Sequence, residues 1–220
     1  METGQSDMKR LEEDIALIKE AIQANNGFIR KILAAPNLGW FYLALGLTST
    51  GLSLLWWYFV DAYGSFTVLP TSIKVILLLV VTIAFILLSW WKYKAFSGLA
   101  KAIDPRAFAS NLVMQLIGHP VFFVQFMVLA GMVVFAIIAV SRGADHVAVS
   151  VIAFGMALIY SHYLVAFLLN EYLPIIIWLV VVALVVVFLQ TVPSLIMVAV
   201  GFGGGFIWYG VYCIMKKGKQ

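Results

Sequence analysis

The densest set of side chains able to do chemistry is Tyr160, Ser161, His162 and Tyr163, followed by Asn170, Glu171 and Tyr172. Phenols both donate and accept hydrogen bonds, and an imidazole can change charge between about pH 5 and 8. The stretch around them is apolar enough to be a membrane helix, where polar groups are expensive and face a bundle interior or a water-filled cavity. Tyr163 and Asn170 are a whole number of turns apart and share a helix face, with Tyr160 close to it. The functional expectation is a polar path for a solute, ion or proton, built from Tyr160, His162, Tyr163, Asn170 and Glu171. His162, ~12 Å from the helix end at 1.5 Å per residue, would be its titrating member. The structural alternative is a neutral histidine bonded to a tyrosine or to a backbone carbonyl of a neighbouring span.

A second constellation is Gly201, Gly203, Gly204 and Gly205. Small residues four apart let two helices approach closely. An earlier stretch carries a matching set, Ala44, Gly46, Thr48, Ser49, Thr50 and Gly51. The expectation is tight contact between the last span and the first. The sharper alternative is a glycine hinge, or unwound backbone whose carbonyls face a pore.

Enzyme chemistry has little to stand on. HExxH, CxxC, GxSxG and P-loop patterns do not occur. His119, His146 and His162 are not spaced as metal ligands, and Asp61, Asp104, Asp145 and Glu171 are scattered at span ends. No metal, no cofactor and no catalytic residue is expected. The lone cysteine, Cys213, cannot form an intrachain disulfide and reads as a packed thiol; its neighbours Lys216 and Lys217 make S-acylation the alternative.

The elements that must position these groups are membrane helices. Apolar residues make up 64% of the 220 residues and charged residues 11%, against ~45–50% and ~25% in soluble domains. Of six apolar runs, 39–60, 72–91, 120–141, 147–169, 174–190 and 191–215, all but the short 174–190 are close to the ~20 residues that cross a bilayer. The expected fold is therefore all-α and polytopic, with six transmembrane helices in one membrane domain, 37–215, and a basic tail, 216–220. With the N-terminus in the cytoplasm, all of the 14 basic residues except Lys74 and Arg142 fall on the inner side. The positive-inside rule then predicts an N-in, C-in protein of the plasma membrane, the inner membrane in a bacterium. The net charge of +4 resides at span ends and indicates no nucleic-acid partner. A polar, charged opening helix in place of a cleavable leader leads to the expectation that the first span is a retained anchor.

Two further helices are expected outside the bilayer. In residues 1–36, Met8, Leu11, Ile15, Ile18, Ile22, Asn25, Ile29 and Ile32 repeat at alternating spacings of three and four, a heptad pattern. Read as a coiled coil, with Leu11, Ile15, Ile18, Ile22, Asn25 and Ile29 in its seam, it predicts a homotrimer or homotetramer. Packing within the chain and lying on the membrane are the alternatives, the latter opposed by six acids in the first twenty residues. Between the second and third spans, the helix is expected to run on past Trp90 and Trp91. A new helix then starts at Asp104-Pro105 and stops at Gly118, an interfacial elbow. The fifth span, with nothing more polar than Trp178 from Pro174 to Phe188, reads as a lipid-contact helix. The function these readings favour is a small oligomeric channel or transporter for an ion or small solute, its path along span four. The alternative is a non-transporting accessory or assembly protein that recruits a cytoplasmic partner through its N-terminal helix.

Overall fold

The structure is a computed structural model, describing residues 33–66, 68–103 and 120–217. Among these it is helical throughout, with no strand. Six helices are long and apolar enough to cross a membrane: α1 Gly39–Tyr63, α2 Thr71–Ile103, α3 Pro120–Ser141, α4 Asp145–Phe167, α5 Leu173–Phe188 and α6 Ser194–Lys217. The chain is thus built as a multi-pass membrane protein. α5 reaches spanning length together with the 3-10 turn Asn170–Tyr172 that leads into it. α2 is 33 residues long, ~50 Å at 1.5 Å per residue, and so outruns a ~30 Å hydrocarbon core. The heptad positions Leu11, Ile15, Ile18, Ile22, Asn25 and Ile29, the 104–118 segment and His119 lie outside the described residues.

Sequence punctuation sets the helix ends. Gly64, at φ 79°, terminates α1, and Gly143, at φ 71°, turns the short link from α3 to α4. α4 stops at Leu168, a non-glycine residue at φ 53°. Pro174 and Pro193 stand at the starts of the last two spans, where a missing N–H costs nothing. The short links make sequential helices antiparallel, so two ends can be distinguished. A basic end carries Lys92, Lys94, Lys216 and Lys217, and a far end carries Asp61, Arg142, Asp145 and His146.

The core lies among α1, α4, α5 and α6. α1 packs along α6, α4 along α5, and α3 along α4, while α2 touches α1 only lightly. From Ser72 to Gly98, α2 buries only Leu77. Lipid tails are as apolar as leucine, so close contact and hydrogen bonds, rather than apolarity, select helix partners in a bilayer. Both are visible here. A methyl group placed on Gly46 would lie 2.5 Å from the Ile207 nitrogen and 2.7 Å from the Gly203 carbonyl oxygen. One on Gly210 would lie 2.5 Å from the Leu43 nitrogen. The Ser150 hydroxyl donates to the Ala183 carbonyl at 2.6 Å, joining α4 to α5, and Trp178 Nε1 donates to the Gly201 carbonyl at 2.7 Å, joining α5 to α6.

The glycines of α6 therefore serve two neighbours. Gly203 and Gly210 face α1, whereas Gly201 faces Val182 and Gly205 faces Trp178, both on α5. Residues two apart on a helix point to nearly opposite sides, so one run of glycines meets both. Between Ala199 and Gly204 the helix widens to a π-helical turn, a form that is rare and concentrated at functional or strained places.

Span five keeps an exposed side, with Ile177, Val181 and Leu184 on it, and has a buried one as well. Ile175 and Leu179 are fully buried, and Val182, Ala183 and Val186 continue the same buried stripe against α4 and α6. The helix is apolar on every side, and apolarity does not distinguish lipid from core in a membrane protein. Among the described residues, α2 is the most exposed of the six helices.

Candidate functional site

Five tyrosines from four elements converge near the basic end. Tyr42 comes from α1, Tyr160 and Tyr163 from α4, Tyr172 from the 3-10 turn and Tyr209 from α6. Tyr172 and Tyr209 are fully buried. Ring centroids lie 5.1 Å apart for Tyr42 and Tyr209 and 5.3 Å for Tyr160 and Tyr172, and Phe206 stacks on Tyr42 at 6.2 Å. Such contacts add ~0.5–1.5 kcal/mol each beyond area burial. The buried hydroxyls need partners, and they have them. Tyr42 donates to the Tyr172 oxygen at 3.1 Å, Tyr172 donates to the Leu33 carbonyl at 2.7 Å, and Tyr209 donates to the Glu171 carbonyl at 3.0 Å. This chain ties the start of α1, the α4–α5 turn and α6 together.

The tetrad of α4 divides by helix phase. Tyr160 and Tyr163, three apart, point inward. Ser161 turns back to the Ala157 carbonyl at 2.8 Å, and His162 Nδ1 lies 2.9 Å from the Leu158 carbonyl, both on their own helix. Asn170 is exposed, and Glu171 enters the network through its backbone oxygen. Of the five path candidates, Tyr160 and Tyr163 line one cavity together.

That cavity holds about 160 Å³. Its walls are Tyr42, Tyr160, Tyr163 and Tyr172, the apolar Leu33, Leu38, Phe41, Phe96, Met156 and Ile159, and one charged side chain, Lys92 of α2. The half-buried Lys92 ammonium lies 5.5 Å from the Phe41 ring centre and 5.6 Å from that of Phe96, within cation–π range. Gln125 is only 7% exposed, and its Nε2 has no partner.

A larger cavity of about 780 Å³ opens at the far end. Trp56, Trp57 and Val60 of α1, Val149 and Ile152 of α4 and Val198 of α6 line it, with Asp145 and His146 at its rim. His146 Nε2 lies 2.7 Å from the Val192 carbonyl, pinning the α3–α4 link to the α5–α6 link. The two cavities come nearest on α4. Ile152 lines the large one and Met156 the small one, a single helical turn of ~5.4 Å apart. Neither cavity is lined by Gly201, Gly203, Gly204 or Gly205. The carbonyls of Ala199 and Gly201 accept from Thr50 and Trp178.

Lys92, Tyr42 and Gln125 do not stand out in a reading of the sequence. Lys92 follows the Trp90-Trp91 pair and reads as a topology charge. The signal that marks it is phase: it sits four residues before Phe96, on the apolar side of the helix extension. Gln125 is the one amide within the third span. Among the described residues no three of His, Cys, Asp and Glu gather as a metal site. Set against known proteins, the chain matches no protein-family model, no curated protein and no solved structure.

Proposed function

We propose that the protein moves a small solute across the membrane along one face of α4, through the two cavities and the turn that separates them. The observation that carries this reading is the pair of cavities, lined by residues nearer opposite ends of the bundle and approaching each other along α4 at Ile152 and Met156. A half-buried lysine and a group of phenols at the inner one are costly in a membrane unless they have work to do. The path differs in detail from the one expected of span four: Tyr160 and Tyr163 line it, joined by Tyr42 and Lys92. His162 is engaged with the Leu158 carbonyl of its own helix. The basic end is the cytoplasmic one in this reading, by the charge asymmetry of the span ends. The N-terminal heptads assemble a homotrimer or homotetramer in the plasma membrane.

Flux tests this. Purified protein in proteoliposomes is expected to pass small solutes, and covalent modification of Ile152→Cys with a thiol reagent from the far end is expected to stop the flux. Well-folded protein that passes no ion or small solute at all would return the chain to the accessory reading, with the N-terminal helix as its working surface.

A further inference from the structure

The chemistry of the inner cavity narrows what can occupy it. We propose that it binds a small organic monoanion, a carboxylate on a compact apolar body; the passage of that anion through the membrane rests on the transport reading above, but its binding does not. The first ground is charge. Lys92 is the one charged group lining the cavity among the described residues, and no carboxylate there faces it. An ammonium partly withdrawn from water gains from compensation, and rings at 5.5 Å and 5.6 Å supply part of it. A ligand carboxylate would supply the rest through a charge-assisted hydrogen bond. A cationic ligand would instead meet a like charge.

The second ground is size and surface. About 160 Å³ is close to the engineered ~150 Å³ cavity that accepts benzene. A bare halide would leave the Phe41, Phe96 and Tyr160 walls without contact. A phospholipid phosphate shares the anionic chemistry, but the cavity is framed by α1, α2, α4 and the 3-10 turn, and 160 Å³ is too small for a glycerophosphate with its substituents.

Benzoate and benzamide, nearly identical in shape but differing in charge, make the test. Titration calorimetry on the full chain in phosphatidylcholine nanodiscs is expected to show benzoate binding at least tenfold tighter than benzamide. Lys92→Gln is expected to erase that difference, and Lys92→Arg to keep most of it. Equal binding of the two probes to the wild type would overturn the proposal without any variant. So would an undiminished preference for benzoate in Lys92→Gln. Native mass spectrometry showing an anionic phospholipid retained by the wild type, lost in Lys92→Gln, and no benzoate binding would assign the charge to lipid and overturn it as well. Benzoate binding without benzoate flux leaves this inference standing and removes the transport reading. Flux of another solute with no benzoate binding does the reverse.

Discussion

Replacing Gly46 with alanine probes the contact on which the bundle depends. The added methyl would sit 2.5 Å from the Ile207 nitrogen, 2.7 Å from the Gly203 oxygen and 2.8 Å from Ile207 Cγ1, where ordinary contact begins at 3.4 Å. Two of these three atoms are backbone, so no rotamer change relieves the clash. α1 and α6 must part by nearly an ångström, and the Thr50 to Ala199 hydrogen bond, already 3.4 Å, lengthens with them. Overpacking of this kind costs ~1–3 kcal/mol. Alanine also favours helix over glycine by ~1 kcal/mol, which masks part of the loss. Gly51→Ala removes that ambiguity, because Gly51 lies on the same helix with nothing within 4 Å of the added methyl. The propensity gain is shared, and the difference between the variants is the packing cost. At ~2–4 °C per kcal/mol for a chain of this size, Gly46→Ala should melt ~2–12 °C below Gly51→Ala, toward the upper part because backbone cannot yield. Differential scanning fluorimetry in detergent reads this directly. Equal melting temperatures would refute the close α1–α6 approach.

Three further outcomes are expected. Tyr172→Phe removes the link from Tyr42 to the Leu33 carbonyl and should cost ~1–3 kcal/mol for the buried groups left unpaired, seen as a lower thermal midpoint. Leu168→Gly relieves a left-handed residue, φ 53°, whose strain of ~1–2 kcal/mol outweighs the entropy glycine adds to the unfolded chain, so the midpoint should rise slightly. Ile18→Asp with Ile22→Asp should lower the oligomer mass in native mass spectrometry if the heptads form the seam; an unchanged mass moves that stripe to packing within the chain.

The spans were legible because a bilayer imposes one length and one composition on every helix that crosses it. Segments of ~20 apolar residues announce themselves. The tyrosines of α4 were legible for the same reason, as polar groups where polar groups are costly. Their separation from Ser161 and His162 was not, because phase relative to the neighbours decides which side chains of a consecutive set point inward. Span five was legible on one side only, because its leucines, isoleucines and valines suit lipid and core alike. Lys92 was hidden by its role in the charge count. A lysine at a span end is ordinary, and only the rings of Phe41 and Phe96 folded around it show a cavity wall. The glycines of α6 were visible as a contact surface, but which neighbour each would meet depended on how α1 and α5 are placed around the helix.

The most direct test of the path is a cysteine at Met156, on the inner side of the dividing turn. The native Cys213 is fully buried and gives a quiet background. An anionic, membrane-impermeant methanethiosulfonate is added to one face of the membrane at a time. A path that opens across the Ile152–Met156 turn predicts that Met156→Cys reacts from both faces, and that benzoate slows both reactions. Reaction from the basic end alone, under every condition in which Ile152→Cys reacts from the far end, would show two blind cavities and contradict transport.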